Sequence, residues 1–207
     1  WIALGVSTVV FVISIVMAIQ FAPIWGTSLD GFTSHVPWLN KLGVTLDLGV
    51  DSVAMMLVLL TTLLTPLCVL GSFSAITFRV KEYYAWLLIL ETAMVGVFAA
   101  QDLILFYVSF ELTLVPMFFL IAIYGGKNRA HASIKFFIYT FTGSLFTLAG
   151  LLYVAWTYKE THLYDTWSFA IHDLAKFAST DLSATEQGWI LLALLSPVPL
   201  VLYSIHL

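Results

Sequence analysis

The chain has 207 residues, of which 61% are hydrophobic and only 10% charged, and its formal net charge is −4. A soluble domain is about half apolar and about a quarter charged, so this composition excludes an ordinary soluble domain and indicates a protein that crosses the membrane several times. The eight Lys and Arg residues form no cluster or stripe, which argues against nucleic acid as a partner.

Six stretches are apolar and long enough to cross a bilayer, which takes roughly 20 residues of helix. They cover residues 1–22, 53–74, 83–100, 103–124, 132–156 and 188–206. No internal repeat, low-complexity tract or linker is evident. The sequence therefore predicts an all-α fold class, a polytopic transmembrane helix bundle of about six spans, and a single membrane domain over residues 1–207 surrounded by the lipid bilayer.

The first residue, Trp1, already lies inside an apolar run, and neither an initiator methionine nor a basic segment precedes it. Such a start is not typical of a secretory signal. We therefore expect the sequence to begin part-way into a longer protein.

Charged residues assign the connections to the two sides of the membrane. Arg79 and Lys81 lie between the second and third spans, and Lys127 and Arg129 lie between the fourth and fifth. Both connections are short, and short connections rich in Lys and Arg face the cytoplasm. The sequence therefore predicts both on the inner side, and alternation places the acidic or mixed connections outside.

The two long outer loops, 23–52 and 157–187, carry predicted structure of their own. Residues 44–50 alternate apolar and polar side chains, which is typical of a strand, and "VPWLN" precedes them, so we predict a short hairpin over the outer face. The apolar residues of 163–177 recur at helical spacing. They predict a helix that either lies in the membrane interface or packs on the outer loops of its own protein.

An acid interrupts the apolar stretch "LFYVSFELTLVPMFFL" at Glu111. Glu111 follows Asp102 by nine residues, about 13 Å along a helix, which predicts a position close to the bilayer midplane. An acid there costs about 2.5–3.5 kcal/mol on insertion scales and is normally retained for a function or a partner. We interpret it as a proton relay; the alternative is a protonated Glu that donates a hydrogen bond between helices.

Pro116 lies in the same span and predicts a helix kink. A proline leaves the carbonyl four residues earlier, at Leu112, without its usual donor and bends the helix. In a membrane such a carbonyl persists only where protein or water satisfies it. Leu112 adjoins Glu111, so the sequence suggests a hydrated pocket at this place.

Three further groups are candidates for the relay. Glu91 is a second acid within a span, and relay and structural roles stay equally open for it. Lys135 lies near the inner end of the fifth span, and the alternative to a relay role is that its side chain extends to the membrane interface. His131, one turn earlier on the same face, is a possible proton entry together with Lys135. Four residues with hydroxyl groups follow in the same span, and they either line a hydrated path or lie at helix contacts: Thr140, Thr142, Ser144 and Thr147.

The sequence lacks the patterns of soluble catalytic sites. No Cys or His set has metal-ligand spacing, and no phosphate-binding loop, dinucleotide fingerprint or nucleophile elbow occurs. The five histidines are scattered, which does not support a haem, and the single cysteine, Cys68, lies in an apolar run. We therefore expect no metal and no cofactor on this chain.

Three segments carry a resemblance to a known family. "FAAQDLILFYVSFELTLVPMFFLIAIYGG", "RAHASIKFFIYTFTGSLFTLAG" and "LGVDSVAMMLVLLTTLLTPL" resemble antiporter-like subunit M of respiratory complex I, which is called subunit 4 in mitochondria and has a counterpart in the photosynthetic version of the complex. The resemblance runs from about residue 36 to about residue 157 and implies a fold of about fourteen helices with two inverted five-helix repeats. Residues 1–22 then resemble the family's second span, so the first is missing.

The resemblance also implies roles for the acids and cations. Glu111 corresponds to the family's span-five glutamate, which is paired with a span-seven lysine and modulates proton uptake and transfer. The positions of Glu91 and Lys135 recur in subunit M relatives. In "LLSPVPLVLYSIHL", Pro197 stands where the family has the lysine before Val-Pro-Leu, and the remaining family pattern, with its His-Thr-Trp, does not follow. We therefore expect a truncated or frame-altered copy or a partial gene model.

The resulting hypothesis is a proton-translocating membrane-arm subunit of an NADH:quinone oxidoreductase. NADH, FMN, iron–sulfur clusters and quinone are then expected on other subunits, and the partners are other membrane-arm subunits in a bacterial inner membrane or an equivalent energy-coupling membrane. Two alternatives stay open: a subunit of a multi-subunit sodium/proton antiporter, and a structural membrane subunit that translocates nothing.

Overall fold

The computed structural model describes residues 1–21, 33–39, 44–161 and 167–195. Within these residues the chain forms helices and strands in the following order: α1, Ile2–Phe21; β1, Thr33–Leu39; β2, Val44–Gly49; α2, Ser52–Ser72; α3, Val80–Ala99; α4, Leu103–Tyr124; α5, Arg129–Thr161; α6, Ile171–Thr180; α7, Ala184–Leu195.

The helices α1 to α5 are long and apolar enough to cross a membrane. The predicted fold class, an all-α bundle of transmembrane helices, is thereby confirmed. Helix α5 is longer than the predicted span 132–156: its 33 residues reach about 50 Å, so its last turns extend beyond a hydrocarbon core of roughly 30 Å. The predicted sixth span, 188–206, overlaps α7, but residues 196–207, including Pro197 and His206, lie outside the described residues.

The membrane helices pack in chain order, each against the next, and α7 packs against α5. Small and hydroxyl-bearing side chains lie at these contacts. The Ser14 and Thr62 hydroxyls share a buried hydrogen bond of 2.7 Å between α1 and α2, and Gly96 of α3 lies against the side chain of Ser109 in α4. Because lipid is as apolar as leucine, such close contacts and hydrogen bonds hold a membrane bundle together more than hydrophobic burial does.

A layer of extended backbone and one short helix covers the end of the bundle that is predicted to face outward. β1 and β2 pair antiparallel, which confirms the predicted hairpin. The Gln101 N–H, in the turn between α3 and α4, donates to the Asp47 carbonyl over 2.8 Å. On the other side of the turn, the Ile171 N–H donates to the Gln101 carbonyl over 3.0 Å, and the Leu103 N–H donates to the Phe169 carbonyl over 2.8 Å. These bonds fix the outer ends of α3 and α4 to the covering layer.

Aspartates begin two of the spans. Asp51 is the N-cap of α2, and its carboxylate accepts from the Ala54 N–H over 2.6 Å. Asp102 is the N-cap of α4 and accepts from the N–H groups of Ile104 and Leu105 over 2.8 and 3.2 Å. Both side chains satisfy amides that a helix start leaves without an intrahelical partner. They differ in burial, since Asp51 is exposed and Asp102 is 0% exposed.

The helix predicted over 163–177 is shifted in the structure. Residues 167–170 are extended rather than helical, because their backbone pairs with the α3–α4 turn, and residues 162–166 lie outside the described part of the chain. The helix itself is α6, whose Leu174 and Phe177 side chains are buried in a core cluster with residues of α4 and α5. The helix therefore packs on its own protein, and its position in the membrane interface stays a prediction.

The two basic connections lie at the same end of the bundle, as the predicted topology requires. The Tyr124 hydroxyl at the end of α4 donates to the Arg79 carbonyl before α3 over 2.8 Å. Arg79 also forms an ion pair of 2.6 Å with Glu82, and the Arg129 guanidinium donates to the Ile123 carbonyl over 2.7 Å. The last contact satisfies a carbonyl at the end of α4 that has no intrahelical donor.

Candidate functional site

Glu111 lies deep in the membrane region of α4. It is eight residues from Leu103, the first residue of the helix, which is about 12 Å from the outer end. Its side chain is half-buried, and its Oε1 is buried without a hydrogen-bond partner among the described residues. A buried carboxyl oxygen that no protein group satisfies is costly in a membrane and marks a place for a proton, a water or a partner.

One polar group adjoins the Glu111 carboxyl, and a second adjoins the first. The Tyr107 phenol, one turn earlier on α4, lies beside it and also reaches the Ser144 hydroxyl of α5. Ser144 is 0% exposed, and its hydroxyl donates to the Phe141 carbonyl over 2.8 Å. We call Glu111, Tyr107 and Ser144 the Glu111 cluster. Tyr107 was not predicted, although its spacing of four residues before the acid places both on one face of a helix.

Pro116 is fully buried within α4, which continues through it. Its ring nitrogen has no hydrogen to donate to the Leu112 carbonyl, one residue after Glu111. The kink that the sequence predicts at this place stays a prediction. What the structure adds is that a carbonyl without its helical donor and a carboxyl oxygen without a partner belong to adjacent residues.

Lys135 and His131 lie nearer the inner end than Glu111 does. Lys135 is six residues from Arg129, the first residue of α5, or about 9 Å along the helix, whereas Glu111 is 13 residues from Tyr124, or about 20 Å. Lys135 is half-buried and His131 is exposed. Measured from the inner end, the two side chains therefore differ in depth by about 10 Å. Within the described residues no ion pair joins Lys135 to Glu111.

Glu91 lies at nearly the same depth as Glu111 but on another interface. It is eight residues, about 12 Å, from Ala99 at the outer end of α3. Its side chain is 5% exposed and reaches the Thr65 hydroxyl of α2, and its Oε1 has no hydrogen-bond partner in the described part of the protein. Glu91 therefore faces α2, whereas the Tyr107 phenol beside Glu111 reaches α5. Among the described residues the two acids do not form a pair.

The hydroxyl groups of α5 are used within the helix. Those of Thr140 and Ser144 donate to carbonyls of their own helix, at Phe136 and Phe141, over 2.7 and 2.8 Å. The Thr147 hydroxyl makes longer contacts, 3.4 and 3.5 Å, to carbonyls of α5 and α7. Thr142 is exposed on another face. Between the two interpretations left open, these contacts favour small polar residues at helix interfaces over a continuous polar path.

Metal chemistry finds no support in the arrangement of side chains. Among the residues that the structure describes, no group of three or more His, Cys, Asp or Glu side chains is placed to hold a metal ion. The arrangement places one buried carboxyl, Glu91, and one half-buried carboxyl, Glu111, within the spans, and a carboxyl can bind and release a proton.

Residues 100–206 match the protein family described as "NADH:quinone oxidoreductase/Mrp antiporter, TM". This segment is more than half of the chain and contains the Glu111 cluster. The chain belongs to this family.

Proteins named as subunit M of NADH-quinone oxidoreductase are similar to this chain along most of its length. NADH-quinone oxidoreductase subunit M of Rickettsia conorii is 37% identical over 174 residues, which are 84% of this chain and 34% of the relative. The chain therefore spans about a third of the length of this relative.

Solved structures share the fold. A chain in the structure titled "Respiratory complex I from Thermus thermophilus with bound NADH" superposes with a TM-score of 0.74 at 24% identity, covering 92% of this chain and 37% of that one. A chain of the Mrp complex from Dietzia sp. gives a TM-score of 0.69 at 18% identity, covering 98% of this chain and 23% of that one.

A second acidic contact lies at the outer end of this family member and was not predicted. Glu186 is in the first turn of α7, and its carboxylate accepts from the Ser183 N–H over 2.9 Å and from the Ser183 hydroxyl over 2.6 Å. The Tyr153 hydroxyl of α5 donates to the same carboxylate over 3.0 Å. The sequence signal that could have found it is Ser183–Ala184–Thr185–Glu186, which has the spacing of a capping box.

These hydrogen bonds make the α5–α7 contact sensitive to acid. The bonds from Ser183, and then the one from Tyr153, lower the pKa of the Glu186 carboxyl from its ordinary value of 4.5. A lowered pKa in the folded state contributes stability that is present above the ordinary pKa and is lost as the pH falls through the folded value. Melting of the full-length protein in detergent should therefore show Glu186→Gln less stable than wild type at pH 7, with the difference vanishing between about pH 5 and pH 3. A constant difference over that range would contradict this account.

Proposed function

We propose that the chain is part of a proton-translocating membrane-arm subunit of an NADH:quinone oxidoreductase, and that it carries protons through Glu111. The observation that supports this most is the Glu111 cluster: an acid about 12 Å inside the bundle, beside a phenol that also reaches a serine hydroxyl, with one carboxyl oxygen left without a partner among the described residues. Placing an acid at such a depth costs about 2.5–3.5 kcal/mol, which a purely structural helix would avoid.

The other groups have supporting roles in this proposal. Lys135 lies too far from Glu111 for direct proton transfer, which needs a hydrogen bond of about 3 Å. Its charge acts across the distance instead, with a Coulomb energy on the order of 1 kcal/mol at an effective dielectric of about 20. His131, exposed at the inner end one turn before Lys135, is the proposed proton entry. Glu91 is a second proton carrier, and it lies at the contact between α3 and α2.

The proposed partners follow from the relatives. The Rickettsia conorii protein is named as subunit M of NADH-quinone oxidoreductase, so we infer that this chain assembles with other membrane-arm subunits. NADH, FMN, iron–sulfur clusters and quinone are then bound by other subunits, and this chain binds no cofactor. The proposed location is a bacterial inner membrane or an equivalent energy-coupling membrane.

A subunit of a multi-subunit sodium/proton antiporter is the second candidate. The family description includes the Mrp antiporter, and the Mrp complex from Dietzia sp. shares the fold. Both candidates use a mid-membrane acid, so the Glu111 cluster does not separate them. They differ in what drives transport, which is electron transfer in the first and the sodium gradient in the second.

One experiment separates the candidates. Inverted vesicles that hold the full-length protein in its complex receive either NADH with quinone or a sodium gradient, and acidification of the lumen is measured with a pH-sensitive dye. NADH-driven acidification that Glu111→Gln abolishes supports the oxidoreductase function. Acidification that only sodium drives would support the antiporter, and acidification unaffected by Glu111→Gln would support a structural subunit that translocates nothing.

A further inference from the structure

We propose that Glu91 exchanges protons with the outer side of the membrane, through a water-holding groove between α2 and α3 that opens beside His172. This inference rests on the proposed function, since it assumes that Glu91 carries protons. It assigns to Glu91 the side of the membrane with which it exchanges them, which the Glu111 cluster does not determine.

The groove consists of two cavities that meet at one pair of side chains. The first, which we call the Glu91 cavity, has a volume of about 280 Å³ and extends from Glu91 outward to Leu57 of α2 and Phe98 of α3. The second, the His172 cavity, has a volume of about 510 Å³, is lined by the same two side chains and reaches Asp51 and His172, which are exposed. Leu57 and Phe98 therefore form the boundary between the cavity of the buried acid and the outer surface.

Among the described residues, the lining of the two cavities reaches the outer end of both helices but not their inner end. Asp51 precedes the first residue of α2, and Gln101 follows the last turn of α3. Toward the inner side the lining ends at Cys68, about 6 Å before the end of α2, and at Leu87, about 10 Å from the start of α3. The access that this lining supports is thus from the outer side.

The carboxyl of Glu91 favours water over a lipid tail as the occupant. Its side chain is 5% exposed and lines the cavity, and its Oε1 is buried without a hydrogen-bond partner in the described part of the chain. A lipid tail offers that oxygen no hydrogen bond, and an unsatisfied polar group in an apolar medium is costly. The Glu91 cavity has room for several water molecules at about 30 Å³ each, and water can satisfy the oxygen.

A second polar group lies at nearly the depth of Glu91, on the α2 wall of the cavity. Thr61 is nine residues, about 13 Å, from the first residue of α2, and Glu91 is about 12 Å from the outer end of α3. The Thr61 hydroxyl donates its one hydrogen to the Leu57 carbonyl over 2.9 Å. Its oxygen can then only accept, which suits a water molecule that donates to it.

The transfer step balances in protons and charge. When the O–H bond of protonated Glu91 breaks, a water molecule in the Glu91 cavity gains the proton and becomes hydronium, and the carboxylate remains. The excess proton passes outward along water when the Leu57 and Phe98 side chains move apart. Uptake from the outer side is the reverse of these steps.

Cysteine labelling tests whether water from the outer side reaches the depth of Glu91. In a Cys68→Ser background, Thr61→Cys places a thiol on the cavity wall. Right-side-out vesicles and inverted vesicles, each holding the full-length protein in its complex, receive 2-(trimethylammonium)ethyl methanethiosulfonate, which does not cross membranes. A disulfide forms at the cysteine and methanesulfinate leaves, and the labelled peptide is quantified by mass spectrometry. The thiolate reacts, and it forms in water rather than in hydrocarbon, so the rate reports water at the side chain.

A matched control lies two residues away on the same helix. Leu63 is 40% exposed on the surface of α2 and lines neither cavity. Leu63→Cys in the same background therefore places a thiol toward lipid at nearly the same depth. We expect Thr61→Cys in right-side-out vesicles to react at least about tenfold faster than this control, and faster than Thr61→Cys in inverted vesicles. Rates equal to the control would mean that lipid fills the groove, and faster labelling from the inner side would reverse the direction of access; either result would overturn the proposal.

Pumping by the labelled protein tests whether the groove carries the protons of Glu91. Right-side-out vesicles are labelled first and then converted to inverted vesicles, in which NADH-driven acidification is measured. The adduct at Thr61→Cys holds a fixed positive charge beside Glu91 and should lower pumping at least about tenfold relative to the same variant without label. The adduct at Leu63→Cys should leave pumping unchanged.

The two proposals fail in different ways. Pumping that Glu111→Gln abolishes but the Thr61→Cys adduct leaves unchanged would overturn the outer route of Glu91 and retain the proposed function. The labelling rates require no pumping, so they support or overturn the groove even where NADH drives no acidification.

Discussion

Glu111→Gln is expected to lower NADH-driven proton pumping by about tenfold or more, which corresponds to a barrier higher by at least about 1.4 kcal/mol. Glutamine has nearly the shape of glutamate and can still contact Tyr107, so the packing of α4 against α5 should survive. Its side chain neither gains nor loses a proton near neutral pH. The change therefore removes the relay and leaves the scaffold in place.

The measurement compares initial rates of lumen acidification in inverted vesicles after normalisation to the amount of assembled complex. Glu82→Gln is the matched control, because Glu82 is an acid near the inner end of α3 whose partner is Arg79 at the surface. We expect that variant to pump within about twofold of wild type, since exposed ion pairs contribute little. Wild-type pumping by an assembled Glu111→Gln complex would leave Glu111 with a structural role only.

Asp102→Ala is expected to destabilise the protein by about 2–3 kcal/mol. The variant removes the N-cap of α4, which is the acceptor of the Ile104 and Leu105 amides, and a missing N-cap costs about 0.5–2 kcal/mol. Because the Asp102 side chain is 0% exposed, water does not easily replace that acceptor, so the cost lies at the upper end of this range or above it. The outer turn between α3 and α4 would loosen as well.

Melting temperature in detergent and abundance in the membrane measure this effect on the full-length protein. The control is Asp51→Ala, which removes the cap of α2 at an exposed position and should cost only about 1 kcal/mol. Asp102→Asn retains a side-chain oxygen for the two amides and should recover most of the stability. If the two alanine variants are equally stable, burial of Asp102 does not matter.

The spans and the covering hairpin could be predicted from the sequence because their signals are local. Length and hydropathy decide whether a helix crosses a membrane, as α4 shows by following its predicted bounds, 103–124. Alternation of apolar and polar side chains likewise predicted the strand over residues 44–50. The predicted outer helix failed at residues 167–170, because a strand partner at the α3–α4 turn outweighs helical spacing.

The sequence by itself determined that this protein is a membrane helix bundle with acids near the midplane, and the family resemblance was already readable around Glu111. Only the tertiary structure decided the neighbours of those acids: Glu91 lies by Thr65 on α2, and Glu111 lies by Tyr107, which reaches Ser144 on α5. Among the described residues, it also separates Lys135 from both acids. The physical reason is that depth follows from counting residues along one helix, whereas facing depends on how each helix is rotated against its neighbours, and that rotation is set by contacts between residues far apart in the chain.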